Sequence, residues 1–441
     1  MKAAEMNEIR QRFKEKMNAF ELQSCMRCGF CLQSCPTYKQ SGGRETSSPR
    51  GRVALMKAVA DGMIQPGEDF ERVINECLGC LACENACPSG VKYMELLEEA
   101  RDIIAQTKRY SLPARVIRTF VFKGVFAKQK NMEKMMRFVR FYQRSGLRTL
   151  ARKTRIMKLL PEGIVATEKV IPDVVSMKDV RSRPLHIRAT GEIKASVAFF
   201  RGCLMDTMFF AENEKTIKLL QLAGCAIHIP KEQGCCAAIH GHSGEKEQAR
   251  KLAKQNIAAF EALQADYIIT NAGGCGAYLM EYDVLLKDDL EWKDRAKVFV
   301  GKIQDISKIL YDLDFHKRVT LQLPEQIVTY QDSCHLRHVM KTFVEPRALI
   351  QSISGITYHE QNDATSCCGS AGIYSIMQNE ISMAILDSKM QQIQATEATV
   401  IVTANPGCLL QMKVGIDREG LSSRLKAVHI VELLYEAVGL S

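Results

Sequence analysis

The chain has 441 residues, enough for roughly two to four domains that each bury their own core. Its composition, 46% hydrophobic and 25% charged, is that of a folded soluble protein, and no apolar run approaches the roughly 18 residues of a spanning helix. Seventeen cysteines in a chain whose charged N-terminus has no apolar signal core exclude a small disulfide-stapled secreted domain, and predict metal ligation or redox thiols in the cytoplasm.

The first element is a pair of cysteine runs. Cys25-Met-Arg-Cys28-Gly-Phe-Cys31-Leu-Gln-Ser-Cys35-Pro36 is repeated as Cys77-Leu-Gly-Cys80-Leu-Ala-Cys83-Glu-Asn-Ala-Cys87-Pro88. The spacing C-x2-C-x2-C-x3-C-P, occurring twice, resembles the signature of two-cluster bacterial ferredoxins. Three cysteines at intervals of three wrap one corner of an iron–sulfur cube, and the proline turns the chain away. Zinc favours separated C-x2-C pairs closing one tetrahedron, which is not this pattern. In the ferredoxin pattern the fourth cysteine of each run serves the other run's cluster. That pattern assigns Cys25, Cys28, Cys31 and Cys87 to one [4Fe–4S] cluster, and Cys77, Cys80, Cys83 and Cys35 to the other. The 41 residues between Cys35 and Cys77 contain Ser48-Pro-Arg-Gly-Arg52, a turn followed by an amphipathic helix, so residues 1–105 are expected to form a mostly helical ferredoxin. Arg44, Arg50 and Arg52 either offset cluster charge, bind a partner or sit in solvent.

Residues 106–190 read as a basic helical connector. From Lys108 to Leu160 there are sixteen Lys or Arg and a single acid, Glu133, a local charge of +15 in a chain of +10 overall. Phe120, Phe122, Phe126, Phe138 and Phe141 are interleaved with this charge. Such a stretch either packs on its neighbouring domains or docks on an anionic membrane surface or acidic partner. No nucleic-acid motif accompanies it, so no nucleic-acid partner is expected.

The C-terminal half is a duplication. Cys203, Cys235-Cys236 and Cys275 recur as Cys334, Cys367-Cys368 and Cys408, each 131 to 133 residues on. β-rich runs precede Cys203, Cys275, Cys334 and Cys408, and helical stretches lie between. This predicts two α/β lobes with parallel sheets, at 191–320 and 321–441, with the cysteines just past the carboxyl ends of strands. Each set of four candidate thiolates can bind a further iron–sulfur cluster, bind zinc or act as redox thiols. His240, His242, His335 and His338 lie close by in sequence and are read as solvated loop residues more readily than as ligands; Cys225 has no counterpart and is expected to be a buried apolar residue. The whole is α+β and multidomain.

Together the paired cysteine runs, Cys87-Pro-Ser-Gly-Val-Lys-Tyr93, Ser48-Pro-Arg-Gly-Arg52 and the two repeats resemble the glycolate oxidase iron–sulfur subunit family. The repeats resemble the cysteine-rich CCG domain of heterodisulfide reductases. They depart from the full CCG motif at Ala272 and Asn405, where the first cysteine of the final C-x-x-C would stand, and at Ala237, where a glycine would follow the cysteine pair. The resemblance implies an electron-transfer subunit without catalytic residues of its own. A partner flavoprotein carrying FAD would oxidise glycolate or a related 2-hydroxy acid such as D-lactate. Electrons would pass through the clusters here to a quinone or other acceptor, with the chain cytoplasmic or peripheral on the inner face of the membrane. The competing expectations are a heterodisulfide or thiol reductase, the electron-transfer subunit of an anaerobic glycerol-3-phosphate dehydrogenase, and a scaffold holding structural zinc.

Overall fold

The computed structural model describes residues 1–154, 157 and 160–440; Arg155 and Lys158 of the basic stretch lie outside the described residues. The N-terminal helices follow from apolar residues at helical spacing. Ala3–Lys16, Pro49–Ala60 and Tyr93–Thr107 meet through Ile9, Phe13, Met56, Leu97, Ala100 and Ile103, all buried. Helix Glu68–Asn75 adds Phe70, edge-to-face with Phe13 at 5.5 Å. The insert between the cysteine runs supplies the helix Pro49–Ala60. Ser48 caps it by accepting the Gly51 N–H, and Pro49 takes the first turn, where its missing N–H is not needed. A Cβ at Gly51 would run into the Glu45 carbonyl, so Ser48-Pro-Arg-Gly-Arg52 is a tightly packed helix start rather than a surface turn.

The connector is helical from Leu112–Arg118 and the π-helix Thr119–Val125, through Gln129–Arg144, Leu147–Lys153 and Glu162–Val170, to Met177–Ser182. Met132 and Met136 join Val174, Met177 and Val180 in a core that runs through both lobes. Helix Glu162–Val170 lies on helix Pro406–Arg418 of the second lobe, where Lys169 pairs with Asp417 at 3.3 Å. One face of the connector is therefore a strap across both lobes.

The first lobe is a sheet of β1 (His186–Ile187), β2 (Ala195–Phe199), β3 (Cys225–His228), β4 (Tyr267–Thr270) and β5 (Ile303–Asp305), in the order β1-β3-β2-β4-β5. Strands β2 to β5 are parallel; β1, in the stretch read as connector, adds an antiparallel edge. The second lobe has β6 (Gln322–Gln331), β7 (Ser354–Tyr358), β8 (Val400–Thr403) and β9 (Lys426–His429), all parallel, in the order β7-β6-β8-β9. The parallel part of each sheet has one topology: the first strand is central, the second lies on one side of it, and the third and fourth on the other. The order therefore reverses beside the first strand, between β2 and β4 and between β6 and β8. Open parallel sheets build their sites in the crevice at such a switch point, past the carboxyl ends of the strands. Val400–Thr403 is buried throughout, as expected for a strand covered on both faces.

Candidate iron–sulfur sites

Each N-terminal cysteine loop is bent by two left-handed residues in register. Arg27 and Gly29 flank Cys28 with φ of 56° and 91°, and Gly79 and Leu81 flank Cys80 with φ of 66° and 63°. Alternation of this kind turns backbone N–H groups toward a common concavity, a geometry that suits anionic sulfur. Arg27 and Leu81 adopt it without the freedom of glycine, so tertiary contacts hold them there. Arg50 does this for the first loop: it pairs with Glu45 at 2.7 Å and donates to the Arg27 carbonyl at 2.9 Å. The short helices Phe30–Gln33 and Ala82–Asn85, which follow the loops and carry Cys31 and Cys83, pack on each other. Of the cysteines in the two runs, Cys28 is the exposed one.

Cys35, from the first run, lines one cavity together with Cys77, Cys80 and Cys83 of the second. The chain crosses over because Pro36 starts the helix Pro36–Gln40 with Cys35 as its cap residue. Polar groups beside the thiols complete the lining. Thr37 Oγ1 is 3.3 Å from Cys35 Sγ, and the Tyr93 hydroxyl donates to Cys77 Sγ at 3.6 Å. Burial pushes the thiols of Cys80 and Cys83 well above the ordinary value, and neighbouring cysteines add to it. Cys25, Cys31 and Cys87 are half-buried.

The lobes repeat their own arrangement. Cys203 follows β2, Cys235-Cys236 follow β3 and Cys275 follows β4; Cys334, Cys367-Cys368 and Cys408 follow β6, β7 and β8. In the first lobe Cys203 Sγ lies 3.6 Å from Cys235, and Cys236 interacts with Cys275. In the second, Cys334 interacts with Cys367, and Cys368 lies 3.2 Å from Cys408. The backbone N–H of Ala237 donates to Cys235 Sγ at 3.5 Å, as that of Gly369 does to Cys367 Sγ at 3.4 Å. Ala237 and Gly369 are both left-handed, with φ of 71° and 86°, so the alanine that replaces glycine leaves this turn unchanged. Asn405, at the other departure, donates to Cys408 Sγ at 3.5 Å and accepts the Gly274 N–H of the first lobe at 3.0 Å. Hydrogen bonding between thiols and burial push Cys203 and Cys334 well above the ordinary thiol value. Thiols held in this way do not ionise unaided, whereas a cationic centre among them would reverse the balance. Among the described residues no three His, Cys, Asp or Glu side chains converge at single-ion spacing. A cube-shaped cluster spreads its ligands wider than one ion does.

Two features of this arrangement have no sequence signal. The second lobe docks on the second ferredoxin loop: Leu78, Cys367, Tyr374 and Ile385 share one small core with Cys80 and Cys334 against it, and the Tyr374 hydroxyl donates to the Glu76 carbonyl at 2.8 Å. The histidines read as solvated loop residues are instead packed at module interfaces. His240 Nε2 meets the Phe122 carbonyl at 2.9 Å, His242 pairs with Glu98 at 2.8 Å and stacks on His335, and the His338 carbonyl accepts from Asn85. His335 Nδ1 lies 3.6 Å from Cys334 Sγ. Cys225 is a fully buried strand residue whose thiol is pushed up to about 12 by burial. Of the three arginines singled out, Arg44 is exposed, Arg50 braces the first loop and Arg52 is buried beside the cavity.

Comparison with known proteins matches these parts one by one. A family described as 4Fe-4S dicluster domain matches residues 21–91, and the cysteine-rich domain matches 197–280 and 328–413. The linker region of the glycolate oxidase iron-sulfur subunit matches 113–171. Over 436 residues the chain is 60% identical to the probable glycolate oxidase iron-sulfur subunit of Bacillus subtilis (strain 168), covering 99% of this chain and 98% of that one. The chain belongs to the glycolate oxidase iron–sulfur subunit family. The subunit of that name from Escherichia coli (strain K12) is 28% identical over 427 residues, covering 95% of this chain and 94% of that one. Lactate utilization protein A of Halalkalibacterium halodurans is 32% identical over 238 residues, covering 54% of this chain and 96% of that one. As a member of this family the chain is an iron–sulfur electron-transfer component of an oxidoreductase complex, and the complex contains a partner subunit.

Proposed function

We propose that Cys77, Cys80, Cys83 and Cys35 hold one [4Fe–4S] cluster, that Cys25, Cys28, Cys31 and Cys87 hold the other, and that the chain passes electrons from a flavoprotein partner to an acceptor. The observation that carries this reading is the cavity that Cys35 shares with the three cysteines of the other run. Each bound cluster supplies one-electron transfer; the chain positions it, excludes water and sets the local charge. Exposed Cys28 makes the first loop the side open to a partner, and Cys80 beside Cys334 and Cys367 makes the second loop the side facing the lobes. The paired quartets Cys203, Cys235, Cys236, Cys275 and Cys334, Cys367, Cys368, Cys408 suit a further iron–sulfur cluster better than a single ion. Reactive thiols need low-pKa, accessible surroundings, whereas Cys203, Cys235, Cys236, Cys367 and Cys368 are buried with their thiols pushed up.

The donor is glycolate or a related 2-hydroxy acid such as lactate, oxidised on FAD of the partner, and the acceptor is a quinone. Peripheral contact with the membrane fits the free face of the connector. No helix among the described residues is long and apolar enough to cross a membrane. Phe120, Phe138 and Phe141 are nevertheless 62%, 75% and 63% exposed, among Lys123, Lys134, Arg137 and Arg144. The test is anaerobic co-purification with the native partner, identification of that partner, and cluster reduction by glycolate, D-lactate or glycerol 3-phosphate in turn. Reduction by a 2-hydroxy acid is expected. A partner that oxidises only glycerol 3-phosphate overturns the donor, and a partner without flavin overturns the scheme. Flotation with anionic but not neutral vesicles, lost in Phe138→Glu/Phe141→Glu, is expected if the connector meets the membrane.

A further inference from the structure

Arg52 is fully buried beside the cavity lined by Cys35, Cys77, Cys80 and Cys83. Its Nε donates to the Val73 carbonyl at 2.8 Å, and its Nη1 to the Ser47 carbonyl at 2.8 Å and to Thr37 Oγ1 at 3.1 Å. Thr37 Oγ1 in turn touches Cys35 Sγ. The Nη2 nitrogen is buried with no hydrogen-bond partner among the described residues. The nearby carboxylate, Glu76, is engaged by Arg72 at 2.7 Å, and Arg52 forms no ion pair of its own among the described residues. A buried cation without a counter-charge is strongly destabilising. Arginine does not escape that cost by losing its proton. Some anionic group must therefore face it, and Arg52 lines the same cavity as the thiols of Cys35, Cys77, Cys80 and Cys83.

We propose that Arg52 is the built-in counter-charge of the cluster held by Cys35, Cys77, Cys80 and Cys83, and that it makes this cluster the more easily reduced of the two. The inference rests on the ligand reading above. The step it acts on is the arrival of one electron from the reduced partner, which is oxidised by one electron as the cluster is reduced; Arg52 makes no bond and loses no proton. The reduced state carries one more negative charge than the oxidised state, so a fixed positive charge in a water-excluded site favours reduction. The effect draws electrons from the exposed first loop toward the loop on which the second lobe docks. Arg52 is thus a positioning residue for charge and not a ligand.

The test uses the purified full chain under anaerobic conditions, with iron and acid-labile sulfide analysis and an EPR-monitored redox titration. In Arg52→Gln one of the two ferredoxin signals is expected to become harder to reduce by at least tenfold, which is about 59 mV for one electron, while the other moves much less. Arg52→Lys, which keeps the charge, restores most of the shift. Wild-type protein labelled with 15N-arginine is expected to show nitrogen coupling to the reduced cluster, a measurement that does not depend on any variant folding. Clusters present in Arg52→Gln with both potentials unmoved, or no nitrogen coupling in the labelled wild type, overturn the inference. Wild-type chain with fewer than two ferredoxin clusters overturns the ligand reading instead, so the two failures are distinguishable.

Discussion

Replacing Asp305 with asparagine isolates one buried charge. Asp305 ends β5 and caps the helix Ile306–Asp312, its Oδ1 accepting the Ser307 N–H at 2.8 Å, while Oδ2 is buried without a partner among the described residues. Burial pushes its carboxyl up from 3.8 to about 7, with the neighbouring Glu345 adding to the effect. The folded chain therefore holds a proton there, between those pH values, that the unfolded chain has released. Stability is lost as pH rises from 3.8 to 7, and the loss is complete above 7. At 1.36 kcal/mol per unit the ceiling is about 4 kcal/mol. Asparagine caps a helix about as well as aspartate and never ionises. Asp305→Asn is thus expected to stabilise the protein at pH 8 by up to about 4 kcal/mol, and hardly at all near pH 4. Anaerobic thermal unfolding of wild type and variant, each at pH 4.5 and pH 8, reads this as a gain of several °C in Tm at pH 8 and about a quarter of that gain at pH 4.5. An equal Tm difference at both pH values, or a loss at pH 8, would refute the reasoning.

His429 holds the matching place after β9, where its Nδ1 accepts the Val431 N–H and burial lowers its pKa to about 4. The unfolded chain takes up a proton near 6.5 that the folded one refuses, so stability falls as pH drops from 6.5 toward 4; His429→Asn is expected to flatten that acid limb, whose ceiling is about 3 kcal/mol, in the same unfolding series. Gly369→Ala places a Cβ 2.7 Å from the Ser382 carbonyl at a φ of 86° and is expected to destabilise by about 3 kcal/mol, whereas Ala237→Gly at the matching turn changes stability by no more than about 1 kcal/mol. Comparative Tm measurements decide it; equal effects would contradict the strain argument. Cys35→Ala is expected to remove one cluster's worth of iron and sulfide even though Cys77, Cys80 and Cys83 remain, and intact iron content would mean that Cys35 is not a ligand.

Much of the site was legible along the chain, because the chemistry is local. A cubane needs thiolates at short fixed intervals, so Cys25 to Cys35 and Cys77 to Cys87 announce themselves by spacing alone. The lobes were equally readable as a duplication, since each strand and the cysteine after it are neighbours in sequence. The packed start of the helix Pro49–Ala60 was readable in part: proline, glycine and serine mark a turn, but nothing in Ser48-Pro-Arg-Gly-Arg52 says that Arg52 points inward while Arg50 braces the surface. That depends on helices whose packing partners lie dozens of residues away.

The histidines show the same limit. A loop histidine is solvated unless something covers it, and what covers His240, His242 and His335 is the connector, the helix Tyr93–Thr107 and the other lobe. The opposite titration of Asp305 and His429 likewise arises from burial, which no local pattern encodes. The sequence by itself determined the two cysteine runs, their spacing and the repeated strand–cysteine units, because these follow from metal chemistry and short-range periodicity. Only the tertiary structure decided that Cys35 shares a cavity with the other run, that Cys80 faces Cys334 and Cys367, and that the Nη2 of a buried arginine has no partner among the described residues. Those are contacts between distant segments, selected by the packing of whole modules rather than by the residues that carry the chemistry.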